Sequence, residues 1–190
     1  MLEPKSPLSK YLVPTMVGAQ GDDSLCLSER PISSLWQIAG WADFDAAAKS
    51  VLTKLGVQSG DYRHKGAQGD VSCYRVAPDR ILIEGCQNLD EFAAENLVVL
   101  DLSHARTVIC ISGAQARTAL AKLCAVDTSA EAFQPGQFIQ TGMHHIAVLM
   151  QCLSDEEFEI QLPGTWAVSL WEAICFNAEP FGYEVKVNRV

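Results

Sequence analysis

One order of apolar patterns occurs twice in this sequence, and it limits the folds that the chain can adopt. A strand-like run, a helical stripe, two further strand-like runs and a second helix follow one another over residues 35–96 and again over residues 106–180. None of the eight prolines falls inside a proposed element beyond its first turn, where proline would interrupt backbone hydrogen bonds. The repeated β-α-β-β-α order predicts an α+β fold, in which both units form one domain and a mainly antiparallel sheet is packed by helices.

The first unit contains a clear amphipathic helix. Apolar residues recur at helical spacing from Phe44 to Leu55, with Asp43 as the expected N-cap and Gly56 as the expected C-terminal stop. The other predicted elements of this unit are a buried strand, a hairpin and a short helix: 35–40, 71–76 with 80–84, and 89–96.

The second unit contains the longest predicted strand, residues 137–153. Its continuous apolar run at Ile146–Met150 predicts that this stretch is covered on both faces. The other predicted elements are a strand, a helix, a returning strand and a last helix that begins at Pro163 and ends at Pro180: 106–111, 116–124, 157–162 and 163–180.

The two ends of the chain lack such patterns. Residues 1–34 hold four prolines and the turn signal Gly21-Asp22-Asp23, so we expect an irregular N-terminal arm with little helix or sheet. The predicted organisation is therefore an arm over 1–34, one domain over 35–183 and a C-terminal tail over 184–190.

Composition narrows the classes of partner and the compartment. Of 190 residues, 48% are hydrophobic, and the net charge of −9 comes without any basic run, which argues against a nucleic-acid partner. No run of 18 apolar residues occurs, so no membrane span is expected. Seven cysteines without a CxxC pair indicate reduced thiols, no zinc site and a cytoplasmic location.

Three polar residues in a row of four invite comparison with a catalytic triad: Asp101, Ser103 and His104. Ser103 and His104 are neighbours, and in an extended segment their side chains point in opposite directions. A triad requires the nucleophile and the base to be in hydrogen-bond contact. Capping of local backbone groups is therefore the favoured interpretation.

Two other segments are candidates for a metal or phosphate site. His144 and His145 are adjacent, so in a strand one would face the core or an interface and the other solvent, which disfavours metal binding. The loop over 56–69 is rich in glycine but has no phosphate-binding motif, and it is predicted to be a flexible surface loop or a partner contact. The residues thus predict no catalytic, cofactor-binding or metal-binding site in this chain.

Several phrases in this order are characteristic of a known family. They are SERP at 28–31, APDR at 77–80, DLSH at 101–104, SGAQA at 112–116, FQPGQ at 133–137, FEIQLP at 158–163, WAVSLW at 166–171 and PFGY at 180–183. The series resembles the folate-binding domain shared by glycine-cleavage aminomethyltransferase and its relatives. Within that superfamily it is most similar to the gamma subunits of heterotetrameric sarcosine oxidase, over roughly residues 27–183.

The resemblance implies a noncatalytic subunit of a cytoplasmic flavoenzyme. Such a complex oxidatively demethylates sarcosine to glycine, produces hydrogen peroxide and passes the one-carbon unit to tetrahydrofolate. The resemblance implies that FAD, FMN, NAD and tetrahydrofolate belong to the partner subunits, and that the partners are the alpha, beta and delta subunits. A homologous subunit of a related N-methyl amino acid dehydrogenase is an alternative.

Folate binding by this chain itself is a further alternative. Folate-binding members of the superfamily carry an acidic residue in a region that the resemblance aligns with residues 147–152, where this chain has no carboxylate. The KGCYxGQ motif of the iron–sulfur-repair branch is also missing. Both absences favour a degenerate, noncatalytic member over a standalone folate-dependent aminomethyltransferase.

The last predicted helix has an unusually wide apolar face. Trp166, Leu170 and Ile174 form one stripe, and Trp171 widens it beyond the roughly 100° that a surface helix needs. Two interpretations remain open, a helix buried in its own domain or a subunit interface in which Trp171 is the central residue.

Overall fold

The computed structural model describes residues 5–18, 21, 24–41 and 43–187. The elements, in chain order, are β1 (Thr15–Val17), β2 (Leu25–Arg30), β3 (Leu35–Gly40), α1 (Phe44–Leu55), β4 (Gly66–Gln68), β5 (Val71–Ala77), β6 (Arg80–Glu84), β7 (Leu97–Asp101), β8 (Arg106–Ser112), α2 (Ala116–Ala121), β9 (Phe138–Met143), β10 (Ile146–Ser154), β11 (Glu157–Pro163), α3 (Ala167–Ala178) and β12 (Tyr183–Val185). In these ranges no helix has the length and apolar character that crossing a bilayer requires.

The chain divides into two compact units, a larger one of residues 1–31 with 105–190 and a smaller one of residues 32–104. This division differs from the single domain predicted over residues 35–183. The physical reason is that β2, which precedes the smaller unit, pairs with β8, which follows it. Residues 32–104 are therefore an insertion between two adjacent strands of one sheet.

The larger unit is built on a seven-stranded sheet in the order β1-β12-β2-β8-β11-β10-β9. All of its neighbouring strands are antiparallel except β12 and β2. The apolar core includes residues of β2, β8, β10, β11, α2 and α3, among them Leu27, Ile109, Ile111, Leu120, Met150, Phe158, Ile160, Leu170 and Trp171. Leu120 is fully buried, as its position in the helical stripe predicts.

The smaller unit has a five-stranded antiparallel sheet in the order β4-β5-β6-β3-β7. Helix α1 belongs to the same apolar core as β3 and β6, and its Val51 is fully buried, as predicted. Gly56 adopts φ +68° and closes α1 by donating its N–H to the carbonyls of Leu52 and Thr53. Asp43 has φ +59° and makes no side-chain cap, so its predicted capping role is wrong.

The predicted α+β class with mainly antiparallel sheets is confirmed, but the N-terminal arm is not irregular. Strand β2 lies inside the seven-stranded sheet, between β12 and β8, and β1 lies at the edge of that sheet. The predicted tail beyond residue 183 also contributes, because Glu184 and Val185 belong to β12. These strands were missed because their pairing partners are distant in sequence. The predicted turn signal at 21–23 lies mostly outside the described residues.

Two further elements differ from the predictions. The predicted helix over 89–96 is a single 3-10 turn, Asp90–Phe92, followed by the unpredicted strand β7. The predicted long strand over 137–153 is a hairpin of β9 and β10, in which Met143 pairs with Ile146 and the two residues between them form the turn. In β10, Leu149 is buried on the face opposite Val148, whereas Ala147 is exposed. Burial on both faces is thus confirmed for only part of the predicted run.

The seven cysteines are free thiols, and burial raises the pKa of each of them, most strongly for three. Burial raises the pKa of Cys73 to about 12, of Cys86 to about 11 and of Cys110 to about 12. In an unfolded chain a thiol titrates near pH ~8.5. The stability that these thiols contribute is therefore complete below that pH and is lost as the pH rises towards 11–12.

We expect the free energy of unfolding to fall above about pH 9, by up to about 1.4 kcal/mol per pH unit for the fully buried Cys73. Urea titrations at pH 8 and pH 10.5 measure the fall. The variant Cys73→Ala should show a smaller fall over the same interval, because it lacks the thiol that must ionise. An identical fall in this variant and the parent chain would contradict the assignment to Cys73.

Candidate functional site

The hydroxyl group of Ser103 caps a backbone N–H group of the smaller unit. Its hydroxyl oxygen accepts a hydrogen bond from the backbone N–H of Leu35 at 3.0 Å, and its own N–H donates to Oδ1 of Asp101 at 2.9 Å. Hydrogen bonds from Ser103 lower the pKa of Asp101. His104 is exposed. This geometry is the local capping arrangement that was favoured over a triad.

His144 and His145 form the two-residue turn between β9 and β10. Both have positive φ, +47° and +66°, as a type I′ hairpin turn requires. Both side chains are exposed, with ring centroids 6.1 Å apart. The expectation that one histidine faces the core is therefore wrong, because the chain reverses where a continuous strand was predicted. No cluster of three or more potential metal ligands occurs in the described ranges.

The glycine-rich loop over 56–69 lies at the surface for most of its length and contains a turn held by Asp61. The carboxylate of Asp61 accepts hydrogen bonds from the backbone N–H groups of Arg63 and His64, at 2.7 and 2.6 Å. Hydrogen bonds from His64 and Arg63 lower the pKa of Asp61 to about 2. A Cβ at Gly66 would lie 1.6 Å from the carbonyl oxygen of Gln58, so the close backbone approach requires glycine there.

The exposure of the aromatic side chains in and next to helix α3 shows which of them a partner could contact. Trp171 is 3% exposed and belongs to the apolar core of its own unit, so it cannot be the centre of an interface. Phe176 is 74% exposed and Trp166, which directly precedes the helix, is 55% exposed. Ser169 and Glu172 are exposed between them. We call these four residues the aromatic stripe.

A group of polar residues lies on the face of the seven-stranded sheet that points away from the core of the larger unit. Side chains alternate between the two faces of a strand, and Ile109, Ile111 and Ile160 point into the core. The opposite face carries the residues that alternate with them along β8 and β11, together with Arg30, which is paired with Val108, and Gln151, which is paired with Glu159. We call six of these residues the polar face: Arg30, Arg106, Cys110, Gln151, Glu159 and Gln161.

The centre of the polar face is an ion pair. Arg30 Nε lies 2.6 Å from Glu159 Oε1, and Arg30 Nη2 lies 2.9 Å from Glu159 Oε2. This is the two-pronged geometry in which guanidinium and carboxylate groups bind most strongly. The side chains are 31% and 13% exposed. Burial, followed by the charge of Glu159, raises the pKa of the neighbouring Cys110 thiol to about 12, which makes it unsuited to act as a nucleophile.

Two members of the polar face lack partners in the described structure. The side chain of Arg106, a partly buried residue, forms no hydrogen bond or ion pair with the described residues, and burial lowers its pKa. Gln161 is 5% exposed, and its Oε1 has no hydrogen-bond donor among them. Among the described residues, the polar face contains no thiol with a lowered pKa that could act as a nucleophile.

None of these polar residues is among the candidate site residues predicted from the sequence. One signal was available, because Arg106, Gln151 and Gln161 interrupt runs that are otherwise apolar. Residues 147–152 lie within β10, and Gln151 of this segment belongs to the polar face. The polar side chain of this segment on that face is therefore the amide of Gln151, and residues 147–152 contain no carboxylate.

Comparisons with solved structures identify the fold. A chain of heterotetrameric sarcosine oxidase from Corynebacterium sp. U-96, solved in complex with pyrrole 2-carboxylate, superposes with a TM-score of 0.78, at 20% identity over 93% of this chain and 95% of that chain. The protein has a sarcosine oxidase subunit fold. Sequence comparison adds nothing further, since no family model and no curated protein matches the chain.

A second solved structure relates this fold to the aminomethyltransferases. The glycine cleavage system aminomethyltransferase T from Bartonella henselae superposes with a TM-score of 0.53 at 16% identity. The match covers 87% of this chain but 47% of the transferase, so the sarcosine oxidase-like chain spans about half of that enzyme. The fold resemblance inferred from the ordered sequence phrases is thereby confirmed, and at these identities the likeness concerns the fold alone.

Proposed function

We propose that the chain is a noncatalytic, gamma-type subunit of a heterotetrameric flavoenzyme that oxidatively demethylates sarcosine. The observation that carries this proposal is the near-complete overlap with one chain of a heterotetrameric sarcosine oxidase, 93% of this chain and 95% of that one. A match over nearly all of both chains favours the role of a subunit of this kind over that of a domain within another enzyme.

The surface of the chain supports a role in assembly. Subunit interfaces are enriched in aromatic residues, which supply most of the binding energy. In the aromatic stripe, Trp166 and Phe176 are exposed to solvent, whereas Trp171 lies on the buried side of the helix. The polar face adds no reactive pair that would suggest an independent activity.

In the proposed complex, alpha, beta and delta subunits are the partners and the location is the cytoplasm. The partners would hold FAD, FMN, NAD and tetrahydrofolate, and would carry out the oxidation and the transfer of the one-carbon unit. The role of this chain would be to connect those subunits or to orient them relative to one another.

Co-expression with candidate flavoprotein subunits from the same host tests the proposal. We expect the chain to co-purify with them in a stable complex that has a flavin spectrum and produces peroxide when sarcosine is added. The isolated chain should neither oxidise sarcosine nor bind tetrahydrofolate. Failure to associate would contradict the proposal, and folate binding or turnover by the chain alone would favour the standalone aminomethyltransferase alternative. Peroxide production from another N-methyl amino acid, without sarcosine turnover, would favour the related dehydrogenase.

A further inference from the structure

The closest pair of basic residues in the chain lies at the tip of the glycine-rich loop. Arg63 and Lys65 are nearer to each other in sequence than any other two of the 14 lysines and arginines, and His64 lies between them. Arg63 and His64 are exposed, and Asp61 is the only acidic residue over 57–69. The surface of a chain with a net charge of −9 thus carries a local excess of positive charge at this point.

The backbone that carries these side chains is ordered before any partner binds. The N–H group of Asp61 donates to the carbonyl oxygen of His64 at 3.1 Å, in addition to the two hydrogen bonds that the Asp61 carboxylate accepts. Gly60 has φ +65°, and a Cβ there would lie 2.1 Å from the same carbonyl oxygen, so the closed turn requires glycine. A loop that is already ordered loses less conformational entropy on binding than a flexible one.

Tyr62 is the aromatic residue of this turn, and its ring is held in place by Arg75. The guanidinium carbon of Arg75 lies 5.8 Å from the centroid of the Tyr62 ring and 5.7 Å from that of Phe44, within the range of cation–π attraction. Arg75 is bound in turn by Asp45. Tyr62 is nevertheless 51% exposed. Tyrosine and arginine are enriched among the residues that contribute most of the binding energy at protein interfaces, and one ordered turn carries both of them here.

We propose that the loop tip, residues 61–65, is a second subunit-contact surface, which binds an acidic surface of a flavoprotein partner. This inference rests on the proposed function, because it names a contact within the same complex. The charge of the loop tip determines the kind of partner. The guanidinium group of Arg63 binds both oxygens of a partner carboxylate, while the ring of Tyr62 supplies an apolar contact beside it.

Each of the two units thus carries its own contact surface, and the two surfaces differ in chemistry. The aromatic stripe belongs to the larger unit and is centred on two aromatic side chains, whereas the loop tip belongs to the smaller unit and is positively charged. Association through the loop tip should weaken when salt is added, because salt screens exposed charges. Association through the aromatic stripe should depend little on salt.

The affinity of full-length variants for the flavoprotein subunits, measured at about 50 mM and about 300 mM NaCl, tests the contact. Arg63→Glu should weaken association at least roughly tenfold at low salt, because it places like charges opposite one another. The loss should be smaller at high salt. Lys49→Glu is the matched control, since it makes the same change of charge at an exposed position of α1 in the same unit. It should bind as the parent chain does.

Two variants of Tyr62 separate the ring from its hydroxyl group. Tyr62→Ala should weaken association at least roughly tenfold at both salt concentrations, because it removes the apolar contact. Tyr62→Phe keeps the ring and should retain most of the affinity. Tyr62 and Arg63 are exposed, so Tyr62→Ala and Arg63→Glu should unfold at nearly the same urea concentration as the parent chain.

The outcomes separate this inference from the proposed function. A parent chain that associates with none of the flavoprotein subunits contradicts the proposed function, and this contact with it. A parent chain that associates, together with an Arg63→Glu variant that binds as tightly as Lys49→Glu, overturns the loop contact alone. Self-association of the chain that depends on Arg63, without an effect on subunit binding, would assign the loop tip to a second copy of this chain and overturn the contact as well.

Hydroxyl-radical footprinting of the parent chain provides a readout that requires no variant. Oxidation of Tyr62 should fall at least several-fold when the chain assembles with the flavoprotein subunits, because the partner then covers the ring. Unchanged oxidation of Tyr62 in the assembled complex would refute the contact, even if the variants do not fold.

Discussion

Replacing Trp171 with alanine is expected to lower the free energy of unfolding by about 3–5 kcal/mol. Trp171 is 3% exposed and lies in the core cluster of the larger unit, with Leu170 and Ile174 of the same helix. Its removal would leave a cavity that the surrounding strands can fill only partly. The wide apolar face of α3 thus reflects burial within its own unit, and Trp171 is not an assembly residue.

Urea unfolding of the isolated chain measures this effect. Phe176→Ala is the matched control, since it removes an aromatic side chain from the same helix at a position that is 74% exposed. It should change stability by no more than about 0.5 kcal/mol. A small loss in Trp171→Ala together with a large loss in Phe176→Ala would show that the faces of α3 are assigned incorrectly.

Removing both aromatic side chains of the stripe, Trp166→Ala with Phe176→Ala, is expected to weaken assembly more than tenfold without unfolding the chain. The two residues are ten positions apart, which corresponds to roughly 15 Å along a helix. A subunit contact centred on them can therefore reach the roughly 1,000 Å² that a stable interface buries. Aromatic residues at such centres often contribute 2 kcal/mol or more each to binding.

The measurement is the affinity of the double variant for the flavoprotein subunits, together with peroxide production by the reconstituted complex. Ser169→Ala is the matched control, because Ser169 lies on the same exposed stripe and contributes little apolar area. It should assemble as the parent chain does. Normal assembly of the double variant would place the interface on another surface.

Local sequence patterns predicted the three α-helices and several strands, whereas the helix expected over 89–96 is a single 3-10 turn. The stripe from Phe44 to Leu55 predicted α1 with its exact bounds, and the glycine at 56 predicted its end. Strand β8 and the buried residue Leu120 of α2 were also predicted. These features depend on the spacing of apolar residues and on the backbone freedom of glycine, both of which act over a few residues.

Elements that depend on distant partners were not predictable in this way. Strand β2 looked like part of an irregular arm, because its neighbours β8 and β12 begin about 80 and 160 residues later in the chain. The hairpin turn at His144 and His145 was hidden because apolar residues continue on both sides of it and histidine is not a typical turn residue.

By itself, the sequence determined the fold class, the main amphipathic elements and the resemblance to a sarcosine oxidase subunit. Only the tertiary structure decided that Trp171 is buried, that Phe176 is exposed, and that Arg30 pairs with Glu159. Arg30 and Glu159 are separated by 129 residues in the chain. Their contact depends on the register of three strands, and that register is set by hydrogen bonds and core packing between distant segments, which no local pattern specifies.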